Sequence, residues 1–138
     1  MITSTEHAQY LRLQVKRRSG TERAVLSHRL ENGVLVLTVE DAPGLRARSL
    51  AALISDLVHV HDPTPAVVVL GSVVPDEVIG AVAEAYRRCR QSDVLISVAT
   101  PSASARRTLQ AQAAAQGGGL VVHARVDTAV RTAEATAA

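Results

Sequence analysis

The sequence predicts an α/β domain: one mixed, mostly parallel sheet of five or six strands, opening with a β-hairpin and accompanied by about four helices. Beyond residue 44, segments of strand type alternate with segments of helical period, as in a sheet with crossover helices. The run 66–70 is continuously apolar, which is typical of a parallel strand covered on both faces. Asn32-Gly33 separates two apolar segments and indicates a tight hairpin turn.

The hairpin comes first. We expect a strand at 25–31, a turn at Asn32-Gly33 and a second strand at 34–39. The segment 41–44 (DAPG) breaks this pattern, and apolar residues then recur at helical spacing until about His61. Asp62-Pro63-Thr64-Pro65 ends that helix.

The remaining elements alternate between strand and helix. Ser102 is a natural N-cap for the third helix and Asp127 for the fourth, while the glycines 117–119 end the third helix. The predicted segments are a strand at 66–70, a helix at 76–91, a strand at 94–99, a helix from 103 to about 116, a strand at 120–123 and a helix from about 127.

Composition excludes several classes of protein. Hydrophobic residues make up 47% of the 138 residues and charged residues 20%, so the chain is not broadly disordered. No apolar run approaches the roughly 18–20 residues of a membrane span, and the single cysteine allows no internal disulfide. We therefore expect a cytoplasmic protein that does not associate with membranes.

Basic charge is concentrated at the N-terminus. Residues 1–30 hold six of the 15 basic residues but only two of the 13 acidic ones, so the positive balance belongs to an arm. With neither Phe nor Trp for base stacking, this pattern disfavours nucleic acid as a partner. We predict a basic arm at 1–25 and one folded domain at 26–138.

Apolar and polar residues alternate in the segment 10–16. We interpret it either as an extra strand or as an arm that orders on a partner. As an edge strand it could pair with the same segment of a second copy and form a homodimer.

No motif for catalysis, metal binding or a cofactor is present. Glycine-rich nucleotide loops and metal-spaced sets of His, Cys and Asp are both missing from the sequence. Ser97 and His123 are the only loosely suggestive nucleophile and base, and the default for Cys89 is a helix-surface or part-buried thiol. We therefore expect that the protein is not an enzyme and that it binds neither a metal nor a cofactor. Any ligand should lie beyond the carboxyl ends of the strands, at 40–44, 71–77 or 99–103.

AYRRCR at 85–90 followed by VLISV at 94–98 resembles the second helix of a STAS domain, the fold of anti-sigma factor antagonists, running into its next strand. SASARRTL at 102–109 resembles the family's S-P-x-V-R-R-x-L helix start, and DAPGLR at 41–46 resembles its D-T-A-P-x-L-R entry to the first helix. The resemblance covers about residues 26–133 and implies a STAS-like fold with a role in protein interaction.

The sequence departs from the family where its antagonists are phosphorylated. Family members carry D-S-[ST]-G at the start of the second helix, and GAV at 80–82 aligns that stretch with PDEV at 75–78. Asp76 or Glu77 therefore occupies the position of the phosphorylated hydroxyl, and Ser72 is the only hydroxyl nearby. The resemblance implies constitutive partner binding, mimicry of the phosphorylated state, or a different partner on the same face.

These observations predict a non-enzymatic interaction module in bacterial signalling and transcription regulation. Its partner would be an anti-sigma factor, a kinase or another STAS protein. The expected contact residues are Ser72, Asp76, Glu77, Gly80 and Glu84. The alternative is a receptor domain of the same fold that binds a small molecule or a nucleotide.

Overall fold

The computed structural model describes residues 26–40 and 47–137. In chain order the elements are β1 (Leu26–Glu31), β2 (Val34–Val39), α1 (Ala47–Val60), β3 (Ala66–Val69), α2 (Asp76–Gln91), β4 (Ile96–Ala99), α3 (Ala103–Ala115), β5 (Val122–His123) and α4 (Val126–Ala137). This confirms the predicted fold class, with five strands and four helices in the described part of the chain. The segment 10–16 and the motif at 41–46 lie outside the described residues.

The five strands lie side by side in chain order, β1-β2-β3-β4-β5. β1 and β2 are antiparallel, and each later strand is parallel to its neighbour. Asn32 and Gly33 both have positive φ values, 54° and 77°. Such angles are those of the hairpin turn whose twist matches the flanking strands, so the predicted turn is confirmed.

Helices cover the two faces of the sheet unequally. Successive parallel strands joined by right-handed crossovers place their connecting helices on one face. Accordingly, α1, α2 and α3 pack with Leu35, Leu37 and Val68 in the larger core. α4 packs through Ala129 and Val130 against Val34, Val36 and Val67 on the opposite face. The alternation along β2 thus places Leu35 and Leu37 on one side of the sheet and Val34 and Val36 on the other.

The core is built almost without aromatic rings. Its largest fully buried side chains are leucines, valines and one isoleucine, and the alanines Ala81, Ala85 and Ala105 let the helices approach the sheet closely. Tyr86 on α2 is the only Phe, Tyr or Trp in the described part of the chain, and its side chain is buried. Close backbone approach therefore replaces bulky anchors.

The end of α3 is fastened to α2. Gly117 has a φ of 79° just after the C-cap Gln116, and the amide of Gly118 donates to the carbonyl of Ala113 at 3.0 Å. This closes the helix as a Schellman motif. The Arg90 guanidinium donates to the carbonyls of Gln116 (3.1 Å) and Gly117 (2.9 Å), so a side chain of α2 ties down the same turn.

Three strands are shorter than the sequence indicates, and the first of them, β3, ends at Val69 and not at residue 70. β4 begins at Ile96 because Ala66, the first residue of β3, pairs with it, and the amide of Val94 is already bonded to the carbonyl of Cys89 at the end of α2. β5 contains only Val122 and His123. Strand length here is decided by what the neighbouring strand offers for pairing.

Candidate functional site

The predicted contact residues begin on the loop that leaves the carboxyl end of β3. The loop's base is held by the sheet, because the amide of Leu70 donates to the carbonyl of Ala99 at 2.9 Å. Gly71, Ser72 and Val73 then emerge into solvent, while Val74 folds back and packs against the larger core. The loop is thus fastened at both ends and exposed between them.

Thr100, at the end of β4, anchors this loop from the side. Its hydroxyl donates to the carbonyl of Gly71 at 2.8 Å and accepts from the amide of Ser102 at 3.1 Å. The Arg106 side chain donates to the Thr100 carbonyl at 2.8 Å, and the Thr100 residue is only 1% exposed. This role of Thr100 was not predicted from the sequence. The feature that could have indicated it is a hydroxyl residue between a predicted strand and Pro101-Ser102, at an edge of the sheet where loops meet.

The predicted N-cap of α3 is confirmed. The Ser102 hydroxyl accepts from the amide of Ala105 at 3.1 Å. Because Thr100 also binds the backbone of Ser102, the cap of α3 and the loop after β3 share one hydrogen-bonded network. The two neighbouring loops at this edge of the sheet are therefore mechanically coupled.

α2 begins at Asp76, as predicted. Pro75 occupies the N-cap position and no side chain caps the helix. Asp76 and Glu77 are both exposed, and neither carboxylate forms an ion pair with another described residue. Two free negative charges thus lie in the first turn, where the helix dipole favours them.

An exposed apolar side chain lies beside these carboxylates. Val73 is 86% exposed, the highest value among the large hydrophobic residues of the described chain. Ser72 precedes it and is also exposed. The loop and the helix start together form an apolar tip with an acidic margin, which we call the docking tip (residues 72–77).

α2 packs between α1 and α3, so it presents only a narrow stripe to solvent. We call Gly80 and Glu84 the outward stripe of α2. Its residues Ile79, Val82 and Tyr86 are buried in the core. Gly80 is exposed, and a Cβ there would meet nothing within 4 Å, so steric crowding does not explain the glycine. Gly80 lies one turn beyond Asp76 and Glu84 a second turn beyond, roughly 12 Å away along the helix.

Glu84 is already neutralised by its own helix. The Nε atoms of Arg87 and Arg88 both donate to its carboxylate at 3.0 Å. The hydrogen bonds from Arg87, and then those from Arg88, lower the pKa of Glu84 to about 2. The structure therefore separates Glu84 from the free carboxylates of the docking tip: a partner would meet a compact ion cluster there, not a lone anion.

The residues considered for catalysis do not form a reactive set. Cys89 is fully buried, against our expectation of a surface or part-buried thiol, and burial raises the pKa of its thiol to about 11. Ser97 and His123 line the same cavity, yet the His123 Nε2 atom has no hydrogen-bond partner among the described residues. Ser97 therefore receives no activation from that imidazole nitrogen.

His59 and His61, at the end of α1, form hydrogen bonds with backbone carbonyls of their own helix. The Nδ1 atom of His59 lies 2.7 Å from the carbonyl of Ser55, and that of His61 lies 2.9 Å from the carbonyl of Leu57. Each Nδ1 atom therefore bonds a backbone carbonyl four residues earlier in the chain. Within residues 26–40 and 47–137, no three His, Cys, Asp or Glu side chains come together in a way that could hold a metal ion.

The chain gives no significant match to a protein-family model, to a curated protein or to a solved structure. None of the helices in the described ranges combines the length and the apolar character that crossing a membrane requires.

Proposed function

We propose that this protein is a non-enzymatic, STAS-like interaction module that binds a protein partner through the docking tip and the outward stripe of α2. The observation that carries the proposal is the 86% exposure of Val73 beside the carboxylates of Asp76 and Glu77. The resemblance at residues 26–133 supports the kind of partner: an anti-sigma factor, a kinase or another STAS protein. We also propose a cytoplasmic location in a bacterium.

The docking tip has the physical character of a contact surface. Protein interfaces combine a desolvated apolar centre with a polar rim, and Val73 with its acidic neighbours offers both on a small scale. The loop is held by the Thr100 hydrogen bond to Gly71 and by the packing of Val74, so little ordering is needed on binding. Without a Trp or Phe anchor, the contact should be of modest affinity.

Charge at this surface is permanent. Asp76 and Glu77 supply carboxylates where the resembling family has a hydroxyl that a kinase modifies, whereas a phosphate would add about −1.5 to −2 charge on demand. A partner with a basic rim fits this surface under all conditions. We therefore propose that binding is not controlled by phosphorylation of residues 71–77.

The binding surface is tested by charge reversal with a matched control. Affinity purification from an extract of the source organism, followed by mass spectrometry, should recover an anti-sigma factor, a kinase or a STAS protein with the wild type. The double variant Asp76→Lys, Glu77→Lys should retain less than about a tenth of that partner. The control Asp56→Lys, Glu134→Lys reverses two charges at exposed positions of α1 and α4 and should retain the partner. Equal retention by the double variant, or recovery of none of these partner classes, would refute the proposal.

Phosphorylation is tested separately. Incubation with cognate kinases and measurement of intact mass should show no gain of phosphate at residues 71–77. Ser72 is exposed, so the absence of modification would reflect kinase recognition and not burial. A single phosphate mapped to Ser72 would contradict the proposed unregulated contact while leaving the docking surface itself in place.

A further inference from the structure

Gly80 lies inside α2, where a glycine is unfavourable. It is the fifth residue of a helix that runs from Asp76 to Gln91, so it belongs to neither end of the helix. Among residues other than proline, glycine forms helices least readily, because it loses the most backbone freedom on folding. Helix formation therefore does not explain the glycine at this position.

The contacts of the free protein do not explain it either. Glycine is required where the backbone has a positive φ or where a neighbour leaves no room for a Cβ. The positive-φ glycines of the described residues are Gly33 and Gly117, and Gly80 is not one of them. A Cβ at Gly80 would meet nothing within 4 Å in the described part of the chain, whereas a Cβ at Gly118 would lie 2.6 Å from the Tyr86 hydroxyl oxygen. The free protein thus has room for a side chain at Gly80.

The absent side chain leaves a notch on the exposed side of α2. Asp76, Gly80 and Glu84 follow one another at four-residue intervals and form one ridge along the helix, with about 6 Å between successive residues. Because Gly80 is exposed, the helix backbone is accessible between the two carboxylates. This spacing is close to the pitch of about 5.4 Å that any α-helix has, and helices pack by inserting side chains into the gaps of one another. The notch therefore suits a side chain from a second helix that lies along α2.

Charge differs on the two sides of the notch. On the N-terminal side, the carboxylates of Asp76 and Glu77 form no ion pair with another described residue. On the C-terminal side, the single carboxylate of Glu84 accepts from both Arg87 and Arg88, which leaves that cluster with an excess of one positive charge. A complementary helix would carry basic side chains over the first turn of α2 and an acidic side chain over the cluster.

We propose that a helix of the protein partner lies along the outward stripe of α2 and inserts one apolar side chain into the notch at Gly80. Its basic side chains face Asp76 and Glu77, and an acidic side chain at its other end faces Arg87 and Arg88. Gly80 is thus a specificity-determining residue, because any side chain there would fill the space that the partner needs. This inference rests on the proposed function and deepens it by naming the shape and charge of the segment that binds.

The first measurement concerns the free, full-length protein. Gly80→Ala should raise the melting temperature, followed by circular dichroism, by about 2–5 °C, because alanine favours the helix and its methyl group meets no neighbour. A melting temperature that stays the same or falls would mean that the free protein itself needs the glycine, and the proposal would be overturned.

Binding should change in the opposite direction. The probe is the partner that the wild type recovers from extract, purified and titrated by calorimetry. Gly80→Ala should weaken its binding by about 3–10-fold and Gly80→Gln by more than about 30-fold, because the longer side chain fills more of the notch. Ala135→Gln adds a long polar side chain at an exposed position of α4 and should bind within about 2-fold of the wild type. A residue with a purely structural role would not combine higher stability with weaker binding.

Hydrogen exchange in the partner identifies the segment that binds. One helical segment with a basic and an acidic end should become protected in the complex, and protection confined to a loop or a strand would overturn the proposal. If Gly80→Gln binds like the wild type while Asp76→Lys, Glu77→Lys does not bind, this inference fails and the proposed function stands. Recovery of no partner from the expected classes would refute both.

Discussion

Gly118 shows how closely the turn after α3 packs against Tyr86, the only large aromatic ring in the described part of the chain. A Cβ at this position would lie 2.6 Å from the Tyr86 hydroxyl oxygen and 3.0 Å from its Cε2 atom, against a ring that is itself buried. Gly118→Ala should therefore lower the free energy of unfolding by about 1–3 kcal/mol, measured by urea denaturation.

Two variants calibrate that measurement. A Cβ at Gly119 would meet nothing within 4 Å, so Gly119→Ala should change stability by no more than about 0.5 kcal/mol. Tyr86→Phe removes the nearest atom, so Gly118→Ala should cost less in that background than in the wild type. Equal losses for Gly118→Ala and Gly119→Ala would contradict the steric explanation.

Glu84 should make stability depend on pH in the acid range. Its native pKa of about 2 lies below the ordinary value of 4.5, so the native state binds the proton more weakly than the unfolded state does. The stabilisation is complete above pH 4.5 and disappears as the pH falls toward 2. Glu84→Gln should cost less than about 1 kcal/mol at pH 7, because the cluster is half exposed, and should make no difference near pH 2.

The control for this prediction lies in the interior of α1. Asp56 is exposed and forms no ion pair among the described residues, so Asp56→Asn should leave the acid limb of the stability curve close to that of the wild type. The measurement is urea denaturation at a series of pH values. A Glu84→Gln deficit that persists unchanged at pH 2 would show that the ion cluster is not its source.

Individual residues were predictable where their chemistry acts locally. The positive φ angles at Asn32-Gly33 and the cap by Ser102 follow from side chains that favour those conformations wherever they occur. Asp76 does not cap α2, because the extended Pro75 before it occupies the N-cap position. The low pKa of Glu84 was likewise not predicted, since it depends on which rotamers Arg87 and Arg88 adopt.

At the scale of elements, the loop after β3 depends on one hydroxyl. Thr100→Val keeps the shape of the side chain but leaves the Gly71 carbonyl and the Ser102 amide without their partner. We expect a loss of about 1–3 kcal/mol in the free energy of unfolding. Hydrogen exchange at residues 71–74 should also accelerate.

Thr100→Ser is the conservative control. It retains the hydroxyl and should recover most of the stability and of the exchange protection. If Thr100→Ser is as damaging as Thr100→Val, the lost methyl group and not the hydrogen bonds would account for the effect. If neither variant changes exchange at 71–74, then the loop is held by the packing of Val74 alone.

Element types were more predictable than element lengths. α2 spans 76–91 as expected, since a regular apolar period begins directly after a proline. β4 and β5 were predicted too long. Leu95 and Val121 lie in apolar segments that favour strands, but they fall outside the bounds of β4 and β5. The start of α4 at Val126 places Asp127 inside the first turn and not at the N-cap position. Its carboxylate pairs with Arg125 and also accepts from the amide of Thr128 at 2.8 Å.

At the scale of the molecule, the predicted division at residue 25 can be tested by deletion. The buried core that we describe is formed by side chains from Leu26 to Ala133. A protein without residues 1–23 should therefore unfold cooperatively within about 4 °C of the full chain, equivalent to roughly 1 kcal/mol. Thermal unfolding by circular dichroism measures this, and light scattering of both proteins reports the oligomeric state.

The result also separates the two interpretations of segment 10–16. A much larger fall in the melting temperature would mean that this segment adds a strand to the domain. A change from dimer to monomer on deletion would support the predicted pairing of two copies. An unchanged protein would favour an arm that orders only on a partner.

The fold class could be predicted from the sequence, but the order of the strands and the assignment of helices to faces could not. Alternation of strands and helices implies a parallel sheet, whereas the position of α4 depends on where the chain turns after the two-residue strand β5. The cavity beside α4, which Ser97 and His123 line, could not be predicted from the sequence for the same reason. Its walls come from four separate elements, and no local pattern brings Leu95, His123 and Thr136 together.

Because the chain is synthesised from its N-terminus, one face of the sheet is completed before the helix that covers it. α4 follows every strand that it covers, so β2, β3 and β4 leave the ribosome before the segment that shields Val34, Val36 and Val67. Until residues 126–137 have been made, one side of the sheet can be assembled and capped by α1–α3 while the other remains a bare valine surface. Such surfaces are prone to aggregate, and a nascent chain that stalls before Val126 would be a natural substrate for chaperones.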